Sequence, residues 1–356
     1  MIVTKEAASF RMRFSLLTSL ASHCPSIQSM VLDAELGAQN NFVISWGKLF
    51  SGRASSACAP FTIWTGLESL SLNSINLGPL TNTIARLPSL TTLKLYFCRV
   101  VDTQLPNNAP NFPVLKHLAM VRCEMDSCLQ VLKCMSSTPL HSINLSITGA
   151  PQEPQWAGLI NGIQNGISHD TLTAIVISSV TGRRPLALSF QTISPLLRFQ
   201  HIHVFGVYGY WTLDVGDDDV ACIVKAWSKL RKFTISPKKP VPTRLTSHAL
   251  IPFAKHCPEL EELSLTINAD VLDNYEEKLG NGMCNRRLRE LGVNDSPIDS
   301  PGRIAAFISD MFPEVSKIVV SELNEDPEGK KRKWEEVERL IPVFAAVRKQ
   351  EANRKT

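Results

Sequence analysis

The most regular feature of this sequence is a triplet of apolar positions, in which two residues separate the first from the second and one residue separates the second from the third. Alternate side chains of a β-strand point to the same face, so the last two members of a triplet would be buried together. Each triplet therefore predicts a short strand with one buried side. The eleven triplets are Ile27-Met30-Leu32, Leu67-Leu70-Leu72, Leu90-Leu93-Leu95, Leu115-Leu118-Met120, Leu140-Ile143-Leu145, Leu172-Ile175-Ile177, Phe199-Ile202-Val204, Leu230-Phe233-Ile235, Leu260-Leu263-Leu265, Leu288-Leu291-Val293 and Val315-Ile318-Val320.

Additional features are needed to identify a repeat, because a chain with 44% hydrophobic residues contains roughly 30 such triplets by chance. The first residues of successive triplets are 23 to 40 positions apart. Five of the eleven have a proline two positions earlier, whereas 22 prolines in 356 residues would give about 0.7. Between the triplets, apolar residues recur at helical spacing, as in Val220–Trp227 and Ile304–Met311.

A strand followed by a helix in each repeat predicts an α/β leucine-rich-repeat solenoid. We expect a horseshoe with a parallel sheet on its concave face and helices on its convex face. Cys98 and Cys123 occupy the small-residue position that follows the strand in such repeats. The residues that begin two of the predicted helices fit this organisation. Ser300 and Pro301 predict a capping hydroxyl and a first-turn proline for the helix of Ile304–Met311. Asp217–Asp219 place acidic charge at the start of the helix of Val220–Trp227.

The ends of the chain differ from its middle. We predict an N-terminal capping helix over 1–24, a solenoid of about eleven repeats over 25–321, and a charged loop with a C-terminal capping helix over 322–356. That last segment carries 17 of the 70 charged residues (37 Lys+Arg and 33 Asp+Glu). Its apolar residues Trp334, Val337 and Ile341 are spaced for one face of a helix.

Composition limits the partners and the compartment. A net charge of +4 without a basic stripe gives no reason to expect nucleic acid, and no apolar run approaches the ~18 residues that cross a bilayer. The nine cysteines are odd in number and contain no C-x-x-C pair. Free thiols in a reducing compartment are therefore expected, which means the cytoplasm or the nucleus.

Candidate catalytic and metal sites are few. No nucleophile motif, phosphate-binding loop or H-E-x-x-H motif occurs, so we expect no enzyme activity, no cofactor and no metal. Cys123, Cys128, Cys134 and His141 lack the paired spacing of a zinc site and are interpreted mainly as core residues. Asp217–Asp219 could bind a hard cation, although the helix start explains these residues without one.

Two surface features could carry function. The basic cluster Lys330, Lys331, Arg332 and Lys333 is either a nuclear localisation signal or, as we favour, a solvated turn before the last helix. The residues between the apolar positions of the triplets should line the concave face. Those predicted to contact a protein partner are Lys94, Tyr96, His117, His201, His203, Phe205 and Lys232. The alternative for them is cross-strand stabilisation of the sheet.

Residues of the C-terminal half carry a resemblance to one family. The sequence resembles the F-box/leucine-rich-repeat proteins of mushroom-forming (basidiomycete) fungi over roughly residues 67–351. The segments concerned are Ile193–Phe199, Leu213–Asp219, Lys225–Leu230, His256–Leu260, Asp295–Ile298, Ile304–Phe307, Met311–Pro313, Trp334–Val337 and Val347–Glu351.

The resemblance implies a substrate-recognition subunit of a cullin–RING ubiquitin ligase. In that family the F-box binds a Skp-type adaptor and the repeats capture the protein to be ubiquitylated. The F-box usually opens with Leu-Pro-x-Glu, and here no Leu-Pro precedes Leu87-Pro88, so the resemblance covers the repeat region only. A Skp-type adaptor is expected as a partner only if an F-box lies upstream of this chain. The alternatives are a stand-alone leucine-rich-repeat scaffold and, more distantly, an enzyme.

Overall fold

The predicted strands form parallel β-structure in a computed structural model of the chain, and neighbouring strands follow one another in sequence order. The α/β leucine-rich-repeat fold predicted from the triplets is thereby confirmed. The structure describes residues 19, 22–33, 63–74, 77, 80–99, 112–149, 151–180, 186–238, 242–270, 284–321 and 329–354. It divides into two compact units, one formed by 1–172 with 179–181 and the other by 173–178 with 182–356.

The described part of the first unit contains five parallel strands joined in the order of the chain. They are β1 (Ser29–Asp33), β2 (Ser69–Asn73), β3 (Thr92–Tyr96), β4 (His117–Glu124) and β5 (Ser142–Thr148). The helices described between and after them are α1 (Thr81–Ile84), α2 (Met125–Lys133) and α3 (Glu153–Gly166). Alternation of buried and accessible residues along β2 to β5 matches the period of two in the triplets.

The second unit repeats this organisation. Its strands are β6 (Ala174–Ser179), β7 (Leu186–Ser189), β8 (Val204–Gly209), β9 (Trp211–Asp214), β10 (Lys232–Pro237), β11 (Glu262–Ser264), β12 (Glu290–Asn294) and β13 (Lys317–Val320). Strands β7 and β9 pair with each other in a separate two-stranded sheet, and the others follow the order β6, β8, β10, β11, β12, β13. Its helices are α4 (Phe190–Ile193), α5 (Asp217–Ala226), α6 (Leu250–His256), α7 (Pro301–Met311) and α8 (Lys330–Arg354).

One hydrogen-bond arrangement sets the register at the start of the strands. A single carbonyl accepts from two consecutive N–H groups of the following repeat. The Glu68 carbonyl, for example, accepts from Thr91 and Thr92 at 2.9 Å each, and the Arg231 carbonyl accepts from Glu261 and Glu262 at 2.8 and 3.1 Å. Because the same bonds recur about one repeat apart, equivalent residues of successive repeats align without slipping.

A buried turn that the triplet does not include precedes several strands. The residue three positions before the triplet is buried, and its carbonyl accepts a hydrogen bond from the first triplet residue. Examples are Trp64, Phe112, Trp227 and Phe312, with N···O distances of 3.1 to 3.4 Å. The recurrent proline follows this residue, at the second position of the turn, where its fixed φ is favoured. Proline therefore shapes the turn into the strand, in addition to ending the preceding helix.

This turn corrects the assignment of the seventh repeat. Phe199 was predicted to be the first residue of its triplet, but it occupies the buried turn position instead. Strand pairing aligns Phe205 with Phe233, so the triplet consists of Ile202, Phe205 and Val207. All three side chains are buried. The prediction that Phe205 faces outward is therefore wrong, because the triplet is displaced by three residues, and an odd displacement along a strand exchanges its two faces.

The predicted helices of the second unit are present, with one difference at a cap. The apolar residues of Val220–Trp227 and Ile304–Met311 bury their expected faces in α5 and α7. Helix α7 begins at Pro301, as the missing N–H of proline favours. Ser300 is its N-cap residue, but its hydroxyl makes no capping hydrogen bond, so this part of the prediction is wrong. The Ser300 backbone angles of φ −118° and ψ 82° differ from the usual extended N-cap geometry.

Helix α8 packs against the last repeat. Trp334 is fully buried and donates its indole N–H to the Ser296 carbonyl at 3.0 Å. Near the other end of the helix, Arg348 donates to the Ala306 carbonyl at 2.7 Å. The Glu338 carboxylate accepts the Ile318 backbone N–H at 2.5 Å and so blocks the edge of β13 from pairing with another strand. Residues 1–18 of the predicted N-terminal helix and residues 322–328 of the predicted charged loop lie outside the described part of the chain.

No helix in the described segments has both the length and the apolar content needed to span a membrane.

Candidate partner-binding face

The outward positions of β2 to β5 form the accessible side of the first unit, here called the first-unit face. The alternate positions of the same strands are buried, which fixes the direction of every outward side chain. The outward residues are Ser69, Ser71, Asn73, Thr92, Lys94, Tyr96, His117, Ala119, Val121, Ser142, Asn144, Ser146 and Thr148.

Three predicted contact residues lie together on the first-unit face. Lys94 and His117 are exposed and Tyr96 is half-buried, on the adjacent strands β3 and β4. The His117 Nδ1 lies 2.9 Å from the Ser142 hydroxyl of the next strand. Partial burial, and then the neighbouring His141 and Lys116, lower the pKa of His117 from its ordinary value. This imidazole is therefore suited to hydrogen bonding in its neutral form near neutral pH.

Two further residues at the edge of this face were missed by the sequence pattern. Phe97 follows β3 and is 40% exposed, and the Arg122 guanidinium lies 5.4 Å from the centre of its ring. Both backbones are in the left-handed region, with φ of 51° and 54°. The sequence did contain a signal for this pair, because each residue directly precedes the small-residue position of its repeat, Cys98 or Cys123. The preceding repeat has Ser74 at this position, with φ 56°.

In the second unit, the residues predicted to contact a partner interact with other residues of the same unit. Lys232 pairs with Glu262 on the next strand, and this hydrogen bond raises the pKa of the lysine. The Lys229 Nζ lies 3.0 Å from the His201 Nδ1. Partial burial lowers the pKa of His203, whose carbonyl helps to set the strand register. Phe205 belongs to the core.

Ion pairs between neighbouring repeats recur along this part of the second unit. Lys317 pairs with Glu290 at 2.7 Å. Arg231 pairs with Glu259 at 3.0 Å, and a third such pair joins Arg289 to Glu314 at 2.8 Å. Each pair is at least one-third exposed, so its net contribution to stability is of the order of 0–1 kcal/mol. The main consequence is that these charges are already balanced within the chain.

The buried cysteines have structural roles. The Cys98 thiol donates to the Leu72 carbonyl at 3.4 Å and the Cys123 thiol to the Leu95 carbonyl at 3.7 Å, each linking one repeat to the preceding one. Burial raises the pKa of Cys123 to about 12 and that of Cys134 to about 11. Burial likewise raises the pKa of Cys128. In the absence of a metal ion these thiols are protonated at neutral pH and can donate the hydrogen bonds described above.

Asp217 and Asp219 are both used by the fold. The Asp219 carboxylate accepts the Gly216 backbone N–H at 2.9 Å, at the start of α5. The Asp217 carboxylate accepts the Thr246 N–H at 2.9 Å and the Thr246 hydroxyl at 2.6 Å. Over the described segments, no group of three or more His, Cys, Asp and Glu side chains is arranged to hold a metal ion.

The basic cluster belongs to helix α8, not to a turn preceding it. Lys330 lies 3.6 Å from the Asp295 carboxylate, and Lys333 donates to the Ile298 carbonyl at 2.8 Å. The interpretation as a solvated turn is therefore wrong. Helix formation extends to Lys330 because these contacts hold the first turn against the last repeat. The nuclear localisation role of the cluster stays a prediction.

The fold and this accessible face define the chain as an α/β protein of the leucine-rich-repeat class. No protein-family model matches the sequence, and no curated protein matches it.

Among solved structures, the chain is similar to one in the yeast Rad7–Elc1 complex, with 14% identity over 90% of this chain and 87% of that chain and a TM-score of 0.40. A protein from Bacteroides fragilis is 13% identical over 91% of this chain and 76% of its own, also with a TM-score of 0.40. A chain in the complex of TLR13 with ssRNA13 is 11% identical over 74% and 47%, with a TM-score of 0.25. The fold assignment therefore rests on the strand order and the repeat themselves.

Proposed function

We propose that this chain is a binding module without catalytic activity, and that it captures a protein partner on the first-unit face. The observation that carries the proposal is the exposure of Lys94, Tyr96, Phe97 and His117 on and beside strands whose other side is buried. Rigid strands present these side chains at a low entropic cost of ordering, and aromatic and cationic residues are common contributors to protein interfaces.

Purification of the tagged chain from cells, with quantitative mass spectrometry of the proteins that accompany it, tests the proposal. A Tyr96→Ala, His117→Ala double variant should co-purify with at least tenfold less of a partner that the wild type retains. Lys133→Ala, on helix α2 of the same unit, serves as a control and should retain it. A partner retained equally by all three chains would refute the assignment of the face, provided that circular dichroism shows them equally folded.

We further propose that the module recognises substrates for a cullin–RING ubiquitin ligase and acts in the cytoplasm or nucleus. The resemblance over residues 67–351 supports the first part. The second part is supported by the eight described cysteines, none of which forms a disulfide. Mixing the purified chain with a Skp-type adaptor and measuring the mass of the product tests the ligase link. A stoichiometric complex supports it. If the two stay separate, an in-frame Leu-Pro-x-Glu segment in the genomic sequence upstream of Met1 would still support the ligase link, and its absence would favour the stand-alone scaffold.

A further inference from the structure

We propose that the first-unit face binds a short acidic segment of its partner through Lys94, Tyr96, Phe97 and Arg122, here called the β3–β4 patch. This inference rests on the proposed function and adds the chemistry of the partner. Lys94 and Tyr96 point outward from β3, Phe97 directly follows β3, and Arg122 lies within β4 where its pairing with β5 shifts register.

The backbone at positions 97 and 122 is the first argument. A left-handed conformation suits Gly, and less often Asn or Asp, and for other residues it costs of the order of 1–3 kcal/mol. Neither Phe97 nor Arg122 is a residue that favours it. Phe97 also remains 40% exposed, so much of its ring is not used to stabilise the fold. The chain therefore maintains a partly exposed aromatic ring at a position where glycine would relieve the backbone.

The distribution of charge is the second argument. The outward positions of β2 to β5 contain no Asp or Glu, apart from Glu124 at the end of β4. Glu124 is paired with Arg99 at 3.2 Å. Lys94 and Arg122 form no ion pair with any carboxylate in the described segments. In the second unit, by contrast, the outward Lys232 and Lys317 each pair with a glutamate of a neighbouring strand. Within the described residues the positive charge of the patch is thus not balanced by an ion pair, and such a charge complements acidic side chains.

The mixed chemistry of the patch selects a peptide over a nucleic acid. The two cations of the patch would neutralise few phosphates, and sequence-independent nucleic-acid binding generally depends on many such contacts. The Arg122 guanidinium lies 5.4 Å from the centre of the Phe97 ring, and a guanidinium is able to make a bidentate contact with a carboxylate. Tyr96 and Phe97 offer adjacent apolar surface for one hydrophobic side chain of the same segment.

Selection from a phage-displayed library of random twelve-residue peptides on the immobilised full chain tests the proposal. Enriched peptides should contain several Asp or Glu residues and at least one apolar residue. A synthetic copy of the most enriched peptide should bind at least tenfold more weakly to Lys94→Glu and to Arg122→Glu, and normally to Lys133→Glu on helix α2. Failure to enrich acidic peptides, or enrichment of peptides unaffected by the patch variants, overturns the proposal.

Phe97→Gly separates binding from folding. Glycine relieves the left-handed backbone, so this variant should melt at the same temperature as the wild type or higher, yet bind the selected peptide at least tenfold more weakly. Undiminished peptide binding by a folded Phe97→Gly chain would overturn the assignment. If the same variants instead abolish binding of a single-stranded RNA oligomer while no peptide is enriched, the patch is a nucleic-acid site. Selected peptides that bind elsewhere would leave the proposed protein-binding function in place and remove only this inference.

Discussion

Replacing Phe205 by alanine tests the corrected register of the seventh repeat. In the structure its ring is buried, with centroid distances of 4.9 Å to Trp227 and 5.4 Å to Phe233. Truncating a buried phenylalanine costs about 3–5 kcal/mol, because apolar transfer energy is lost and a cavity remains. If Phe205 lay on the outward face, as the first assignment of the triplet required, the cost would be below about 1 kcal/mol.

Urea denaturation followed by circular dichroism measures this difference. Phe205→Ala should move the midpoint to a clearly lower urea concentration, with the loss concentrated in the second unit. Phe97→Ala is the matched control, since it removes the same atoms from an exposed ring and should change the free energy of unfolding by less than about 1 kcal/mol. Equal small effects of the two substitutions would refute the register that places Phe205 in the core.

Three other predictions concern the edge strand, a histidine and the thiols. Glu338→Ala removes the acceptor of the Ile318 N–H and opens the edge of β13. The variant should therefore self-associate, as sedimentation velocity can detect. A purely monomeric variant would contradict this role of Glu338. Partial burial lowers the pKa of His117 in the folded chain below its ordinary value of 6.5, so the unfolded chain binds more protons as the pH falls through that value. Stability should therefore decrease on acidification from pH 7.5 to 5.5, and His117→Gln should reduce this decrease; identical pH profiles of the melting temperature would count against it. Burial raises the pKa of Cys257 to about 12, whereas Cys222 is exposed. Iodoacetamide at pH 8 should therefore alkylate Cys222 at least tenfold faster than Cys257, as peptide mass spectrometry can show. Equal rates would mean that Cys257 is accessible.

Most of the strands could be predicted because their signal is local. In the triplet Leu90, Leu93 and Leu95, the last two residues are alternate positions of one strand and are buried on the same side. This alternation of buried and exposed positions depends only on neighbouring residues of the chain. The helices α5 and α7 were predictable for the same reason, since their apolar residues recur with the helical period. The repeat itself followed from the spacing, because a strand and helix of this size are stable only when stacked on a neighbour.

The register of the seventh repeat required the tertiary structure. Phe199, Ile202 and Phe205 are all apolar, so two triplets three residues apart fit the sequence almost equally well. The choice depends on hydrogen bonds to strands about 30 residues away, and on the Trp227 and Phe233 rings that surround Phe205. Neither is visible in the local pattern.

For the candidate binding residues, the sequence predicted which side chains face outward but not which of them form ion pairs. The pattern placed Lys94, Tyr96 and His117 outward, and the structure has them there. It also placed Lys232 outward but could not indicate that Glu262 of the next repeat neutralises it. The sequence by itself thus determined which positions alternate, since that is a property of each strand. Which outward charges remain unpaired was decided by tertiary structure, because ion pairing depends on the residues that stacking brings alongside.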